Sequence, residues 1–509
     1  MAMLASSSAR KAIAVAATVV ALAPACSHAD TAQTAQSAET PSSRQAPVVP
    51  APPALPPVAP SPYDFGAVSE LIDYAIAANE LPGAVALVGH QGRVVFRQAY
   101  GVRKLAGEPG LDGAPAPAEP MTEDTIFDLA SLTKPLATTP AVMQLFEQGK
   151  VAFDDPIQKY LPDFNADHDP VRAAVTVRTL LTHTSGEPGD VELGDPWGLS
   201  RPDKAEGIHR ALTTPLQAQP GAGFRYSDIN FILLGALVEK LTGAPEDVYV
   251  QQHVFAPIGM QDMRFLPVAK ACGPHSTRGA AIARAPEASD EDGCPPGEWN
   301  VGLLPRIAPT AHDEEARADP GSNPDLDRLL RGTVQDTTAR RMGGVAGHAG
   351  VFATAQDVGT YAQSLLDRLA GRPSSFPLSQ ATAQMMTGPQ QPGHTDGQIP
   401  AANTAEQDAL AQRTTTSDPL LAPRYPAVRG QDLRGFGWDI DTPQSLPRGS
   451  VFPIGSFGHT GFTGTSVWLD PASDTYVVLL TNSIHTRGSP PASKLRGDVA
   501  TAAARALGL

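Results

Sequence analysis

The sequence predicts an α/β fold of the α+β type, in which an antiparallel sheet flanked by helices is joined to a mainly helical lobe. Strand patterns separated by short turns occur near both ends of the folded region, and apolar residues at helical spacing dominate residues 130–380 between them. The 509 residues include 46 Gly and 50 Pro but only 16 Phe and 9 Tyr. This composition is typical of many turns around a moderate core and excludes a coiled coil.

Two hairpin patterns predict the sheet. Segments 84–88 and 94–99 flank a glycine-containing turn, and segments 465–469 and 476–481 form a similar pair near the C-terminus. A helical pattern precedes the first hairpin, and the alanine-rich segment 493–507 predicts a helix after the second. Both ends of the folded region are therefore expected to contribute to one sheet with helices on it.

The N-terminal segment predicts export. Arg10 and Lys11 precede a short apolar run and small residues, a pattern typical of a secretory signal peptide over residues 1–25. Cys26 follows and leaves two alternatives: lipidation, which would tether the chain to a membrane, or a spare thiol. Residues 26–62 are rich in Ala, Pro, Ser and Thr and predict a disordered linker. We expect a periplasmic or lipid-anchored protein at the cell envelope.

The rest of the chain, residues 63–509, is expected to form one domain that functions as a monomer. Two polar stretches rich in Gly and Pro, at about 268–330 and 388–430, predict long insertions. Cys272 and Cys294 are the cysteines left after Cys26, and an oxidising location would allow them to form a disulfide across the first insertion.

Charge and missing motifs exclude several classes of protein. The formal net charge is −15 and no basic patch is present, so we expect no nucleic-acid partner. The sequence contains no His-Glu-x-x-His, no Gly-x-Ser-x-Gly and no convincing phosphate-binding loop. Zinc proteases, α/β-hydrolases and nucleotide enzymes are therefore disfavoured, and no metal or cofactor is expected.

Ser131 and Lys134 form the first candidate catalytic pair. Residues three apart on a helix share a face, so the Lys134 amine can lie over the Ser131 hydroxyl and take its proton when desolvated. Alone, the spacing fits equally well a serine at a helix N-terminus with a surface lysine.

Tyr226 and Asp228 precede a helical pattern and form the second element. A phenolic oxygen placed there can relay a proton between nucleophile and leaving group. The plainer alternative is a loop tyrosine followed by an aspartate that caps the helix.

The third element is the glycine-rich segment 457–464, which precedes a predicted strand. His459 and Thr460 could bind a carboxylate or carbonyl of the substrate, and Gly461 permits close approach of a backbone. The amide of Phe462 could join the amide of Ser131 as an oxyanion donor.

Together these elements resemble the three motifs of the penicillin-recognising serine hydrolases, which are the class C β-lactamases, the serine D,D-peptidases and related esterases. The resemblance extends to four further stretches and covers about residues 63–509. These stretches are 127–130, 180–186, 229–230 and 344–350. The resemblance implies the β-lactamase/transpeptidase-like fold, with the site between the sheet and the helical lobe.

The resemblance also implies roles for single residues. Ser131 corresponds to the acylated nucleophile, Lys134 to the general base or its partner, and Tyr226 to the proton shuttle. Asp228, His459, Thr460 and Gly461 correspond to substrate contacts, and the amides of Ser131 and Phe462 to the oxyanion hole. The reaction implied is acyl transfer through Ser131.

Two positions depart from the class C pattern, which has Asn and Lys where this chain has Asp228 and His459. We expect Asp228 to pair with Lys134 and hold it charged, which shifts the base role toward Tyr226. A histidine near its reference pKa of ~6.5 is only partly charged at neutral pH, so efficient β-lactam turnover is doubtful.

We therefore expect an exported serine hydrolase that cleaves an ester, a D-amino-acid amide or a β-lactam of a small-molecule or peptidoglycan-derived substrate. The alternative is a catalytically weak penicillin- or peptidoglycan-binding protein of the same fold. Loss of acyl-enzyme formation in Ser131→Ala is the required outcome of the first hypothesis.

Overall fold

The computed structural model covers most of the predicted domain. The described residues are 61–266, 301–412, 425–488 and 492–509, with Leu55 and Val58. The signal peptide, the lipidation site Cys26 and the disulfide between Cys272 and Cys294 lie outside the described residues, as do most of the linker and parts of both insertions.

Short and long strands alternate with helices along the described chain. The strands are β1 Gly83–His90, β2 Arg93–Lys104, β3 Glu119–Pro120, β4 Phe127–Asp128, β5 Arg264–Phe265, β6 Ala311–His312, β7 Leu329–Leu330, β8 Val351–Ala353, β9 Leu433–Arg434, β10 Asp439–Asp441, β11 Phe457–Thr460, β12 Ser466–Asp470 and β13 Thr475–Thr481. The α-helices are α1 Gly66–Ala77, α2 Thr139–Glu147, α3 Val177–Leu181, α4 Lys204–Thr213, α5 Asp228–Thr242, α6 Glu246–Val250, α7 Ala256–Ile258, α8 Thr337–Arg341, α9 Ala355–Leu369, α10 Gln380–Thr387, α11 Gln398–Gln412 and α12 Ser493–Ala506.

The predicted antiparallel sheet is present, and both chain ends contribute to it. Within the described residues it has eight strands in the order β3-β2-β1-β13-β12-β11-β10-β9. The turn at Gln91 and Gly92 joins β1 to β2, and residues 471–474 join β12 to β13, as predicted. The register pairs Ala84 with Thr481, so the two predicted hairpins meet side by side at the centre of the sheet.

Side chains of β1 alternate between two buried layers, as the period of a strand requires. Ala86 and Val88 pack with α1 and α12 on one face of the sheet. Val85 and Leu87 belong to the larger core that includes α9 and the helical lobe. The sheet is therefore covered on both faces, and the predicted fold class is confirmed.

The helical lobe is built around α5, whose residues Ile229–Glu239 are all buried. Helices α2, α3, α4 and α6 contact α5. The described part of the first insertion contains the two-stranded sheet of β6 and β7. Among the described residues, no helix is long and apolar enough to cross a membrane.

Candidate active site

Ser131 lies in a tight turn at the start of a helical segment. The 3-10 helix Ala130–Leu132 is followed by a π-helix over Lys134–Thr138, so the predicted helix begins with non-α geometry. Ala130 has a φ of 48°, a left-handed conformation that is uncommon for a residue with a side chain. Oδ1 of Asp128 accepts a hydrogen bond from the Ala130 amide at 2.9 Å and stabilises this turn. The strained backbone sits beside the candidate nucleophile, where such conformations concentrate.

Lys134 is completely buried, and three acceptors surround its ammonium group. Nζ lies 2.6 Å from Oδ1 of Asp228, 2.9 Å from Oγ of Ser131 and 3.0 Å from the carbonyl oxygen of His348. The contacts with Ser131 and His348 are hydrogen bonds, and the contact with Asp228 is an ion pair. The expected contact between Ser131 and Lys134 and the expected ion pair with Asp228 are both present.

The ion pair keeps Lys134 charged. Burial lowers the pKa of Lys134, but the Asp228 carboxylate and the Tyr226 side chain outweigh it, and the pKa lies above the usual value. In this state the amine has no lone pair to accept the Ser131 proton. Asp228 is the first residue of α5, so its carboxylate faces the site instead of capping the helix.

Tyr226 lies directly beside this pair. Nζ of Lys134 lies 5.0 Å from the centroid of its ring, and both Lys134 and Ser131 interact with its hydroxyl group. Burial raises the pKa of Tyr226, Lys134 opposes the rise and Asp228 adds to it, so the phenol stays protonated in the resting site.

His183 holds the Tyr226 ring in place. The two rings stack with centroids 4.4 Å apart and an interplanar angle of 27°. Nδ1 of His183 accepts hydrogen bonds from the Ser227 amide and from Nδ2 of Asn230, both at 3.1 Å. Burial, with the nearby cations of Arg434 and Lys134, holds the pKa of His183 well below its usual value. The neutral ring therefore acts as a platform.

The segment after β11 packs against the chain that leads to Ser131. Oγ1 of Thr463 donates to the Asp128 carbonyl at 2.7 Å, and Oγ1 of Thr465 donates to the Leu129 carbonyl at 3.1 Å. These bonds fix the glycine-rich segment beside the nucleophile, although 335 residues separate the partners.

Gly461 is required by this packing. A Cβ at Gly461 would lie 2.3 Å from the carbonyl oxygen of Leu129, a distance no side chain tolerates. The sequence predicted that this glycine allows a substrate backbone to approach, whereas in the structure it admits the protein's own backbone. The next residue, Phe462, is thereby placed next to the Ser131 turn.

His459 is neutral, which differs from the expectation of a partly charged histidine. Its Nδ1 donates to the carbonyl of Thr460 at 2.8 Å, so the proton-free Nε2 is an acceptor. The pKa of His459 lies well below its usual value. Burial is the main cause, and the nearby cations of Arg434 and Lys134 add to it. The structure places His459 6.1 Å from Tyr226 between ring centroids. Thr460 is half-buried at the end of β11.

A second buried ion pair lies behind Lys134. Nε2 of His348 lies 2.9 Å from Oδ1 of Asp336. Burial disfavours the charge, but Asp336 raises the pKa of His348 above its usual value. Asp190 lies at the edge of this group, and burial together with Asp336 and Asp228 raises its pKa to about 7.

The structure brings together the predicted residues Ser131, Lys134, Tyr226, Asp228 and His459. Sequence reasoning missed the roles of His183, His348, Asp336 and Arg434. His183 and His348 lie in stretches that carry the family resemblance, and that was their only available signal. Among the described residues, no group of three or more His, Cys, Asp or Glu is placed to hold a metal ion.

Comparison with known proteins agrees with this geometry. The model of the family described as Beta-lactamase matches residues 68–501. A protein of Bacillus subtilis named N-acetylmuramyl-L-alanine amidase is 30% identical over 428 residues, which cover 82% of this chain and 81% of the relative. A candidate D-alanyl-D-alanine carboxypeptidase of Escherichia coli O157:H7 is 28% identical over 421 residues, which cover 81% of this chain and 80% of the relative.

A solved structure shows the same fold. EstCE1, described as a hydrolase with promiscuous acyltransferase activity, superimposes with a TM-score of 0.53 at 21% identity. The match covers 86% of this chain and 97% of that protein. The sheet and the helical lobe therefore have the β-lactamase/transpeptidase-like arrangement.

Proposed function

This chain belongs to the Beta-lactamase family, whose fold is that of serine hydrolases, and on that premise we propose that it cleaves an ester or amide through an acyl-enzyme on Ser131. The observation that carries the proposal is the 2.9 Å contact between Ser131 Oγ and Lys134 Nζ, with the Tyr226 ring beside Lys134. A nucleophile and a proton carrier at this distance are the requirement for nucleophilic catalysis.

We assign the proton transfer to Tyr226. Asp228 holds Lys134 protonated, so the base is the phenolate of Tyr226, which forms when the phenol releases its proton to solvent. This phenolate accepts the hydroxyl proton of Ser131 as Oγ bonds to the substrate carbonyl carbon. The Lys134 ammonium stabilises this phenolate before it takes the proton. The amides of Ser131 and Phe462 stabilise the oxyanion, and Tyr226 returns the proton to the leaving group.

Water then attacks the acyl-Ser131 ester and completes hydrolysis. Tyr226 again takes a proton, now from the water, and Ser131 Oγ leaves with that proton. Each step uses side chains of this chain and the substrate.

The substrate class follows from what the site offers and from the relatives. The site lacks the lysine that would be a permanent cation opposite a substrate carboxylate, and His459 is neutral. This favours esters and amides over efficient β-lactam hydrolysis. The relatives' names direct the first tests to peptidoglycan-derived amides.

A substrate panel tests the proposal. An activated ester, a D-alanyl-D-alanine peptide and a penicillin are each incubated with wild type and with Ser131→Ala. We expect Ser131-dependent turnover of the ester or the peptide, with a loss of about 10³-fold or more in the variant. Equal activity in both proteins would refute the proposal.

One observation favours the alternative, a weakly catalytic binding protein. The pKa values of Lys134 and Tyr226 both lie above their usual values, which slows proton abstraction. Stable binding of peptidoglycan or penicillin without turnover, unchanged in Ser131→Ala, would support that alternative.

We further propose that the chain is exported, since Arg10, Lys11 and the apolar run before Ala25 have the pattern of a signal peptide. Expression in a bacterial host followed by mass measurement of the mature protein tests this. A mature protein that starts at Cys26 and carries a diacylglycerol would indicate a lipid anchor. A mature protein that starts at Cys26 without the lipid would indicate a free periplasmic protein. An unprocessed N-terminus would contradict export.

A further inference from the structure

A cleft lies beside Phe462 and is formed in part by the first predicted insertion. Its volume is about 400 Å³, which is in the range of ligand pockets, about 300–1,000 Å³. Residues 311–315 of the insertion line it, as do Gln335 and Thr337 and the segment that contains Ile484 and Thr486.

The cleft is joined to the catalytic turn at two points. The Gln335 amide donates to Oδ2 of Asp128 at 2.7 Å, and Asp128 supports the turn that carries Ser131. Phe462 follows Gly461, whose backbone packs against Leu129. The cleft therefore adjoins the two segments that position the Ser131 turn.

The charged side chains that line the cleft, three acids and two arginines, all take part in ion pairs. Nη2 of Arg340 lies 3.1 Å from Asp313 and 2.8 Å from Glu315. Nε of Arg487 lies 3.0 Å from Glu314. Because these acidic and basic side chains are paired with one another, a ligand of the cleft needs no charged group.

What the cleft offers instead is one aromatic surface and several neutral polar groups. The Phe462 side chain is 72% exposed, although a phenylalanine is normally buried. Gln335 and Thr337 are half-buried and supply an amide and a hydroxyl. Oγ1 of Thr486 is buried without a hydrogen-bond partner among the described residues.

We propose that this cleft is a subsite for an uncharged sugar ring of the substrate, with Phe462 as its stacking surface. A pyranose has a face of C–H groups and a rim of hydroxyl or acetamido groups. The C–H face suits the negative face of an aromatic ring, and the rim suits Gln335, Thr337 and Thr486. The inference rests on the proposed function in taking the ligand as part of the substrate of Ser131.

Direct binding tests the subsite without requiring turnover. The full chain carrying Ser131→Ala is titrated with the methyl glycoside of N-acetylglucosamine and with diacetylchitobiose, and binding is followed by saturation-transfer NMR. We expect millimolar or tighter binding that weakens at least fivefold in Phe462→Leu and a few-fold in Thr486→Val.

Two further variants separate the aromatic role from general disturbance. Phe462→Trp keeps an aromatic surface and should bind within twofold of the parent. Tyr74→Ala removes an aromatic side chain that is 73% exposed on α1 and should leave sugar binding unchanged. All these substitutions leave the backbone amide of residue 462 in place.

The outcomes are distinct from those of the acyl-enzyme proposal. No sugar binding, or binding that is equal in the Phe462→Leu variant, would overturn the subsite even if Ser131 is acylated. Preferential binding of hexanamide over the sugars would also overturn it, since an acyl chain would then occupy the cleft. Absence of acylation with Phe462-dependent sugar binding would refute the proposed function alone.

Discussion

The Lys134 ammonium lies 2.6 Å from the Asp228 carboxylate, inside the candidate active site. This contact sets the charge of the lysine and, through it, the identity of the proton acceptor. A fully buried lysine without such a partner would lose its charge more readily.

Replacing Asp228 by Asn should shift the pH dependence of acylation. Asp228 raises the pKa values of both Lys134 and Tyr226, so its loss lowers both, whichever of them accepts the proton. In the pH profile of kcat/KM for an activated ester, the acid limb should shift to lower pH by about 1–3 units. A stopped-flow pH profile checks this, and an unchanged limb would show that the carboxylate does not control the base.

Tyr226→Phe should lower kcat/KM for the same ester by about 10²–10⁴-fold. The ring remains and keeps its stacking on His183, so thermal stability should change little. Comparison of activity with the melting temperature separates the two effects. Activity within threefold of wild type would assign proton transfer to another group.

KM for a substrate with a carboxylate should be flat between about pH 5.5 and 7.5. His459 stays neutral across this window, because burial and the cations of Arg434 and Lys134 hold its pKa low. His459→Gln, which is also neutral, serves as the control and should give the same profile. A rise of KM with pH in the wild type, absent in the control, would show that His459 carries charge.

Glu187→Gln should stabilise the protein, increasingly so as the pH rises. Glu187 is fully buried, neither carboxylate oxygen has a hydrogen-bond partner among the described residues, and burial raises its pKa from 4.5 to about 8. Between these values the folded state binds more protons than the unfolded state, so stability is lost as the pH rises from 4.5 toward 8.

The glutamine variant has no carboxyl group to ionise, so its free energy of unfolding at pH 7 should be higher by about 3 kcal/mol. Urea unfolding at pH 4.5 and pH 7 measures it. We expect little difference between the proteins at the lower pH and a clear gain for the variant at the higher one. A loss of stability at pH 7 would mean that Glu187 is ionised and paired.

The sheet could be predicted because its long central strands, β1 and β13, are short apolar runs bounded by turns. The contact between Ser131 and Lys134 could also be predicted, since three residues along a helix fix it. The charge state of His459 could not be predicted from the sequence. Its pKa is lowered mainly by burial and then by Arg434, which lies on a strand 25 positions earlier in the chain, and both depend on the tertiary structure.

Gly461 illustrates a partial success. The sequence indicated that a backbone approaches this glycine, but only the tertiary structure shows that the backbone is that of Leu129. The pairing of His348 with Asp336 was equally hidden, since a loop histidine has many ordinary partners and nothing local selects the one 12 residues away.

The central claim is that Ser131 becomes acylated, and intact mass measurement tests it most directly. The wild type and Ser131→Ala are mixed with an activated ester and, separately, with a penicillin, quenched at short times and weighed, and the adduct is located by peptide mapping. We predict an acyl adduct on the peptide that contains Ser131 in the wild type and none in the variant. An adduct of equal amount in both proteins, or on another residue, would contradict the account.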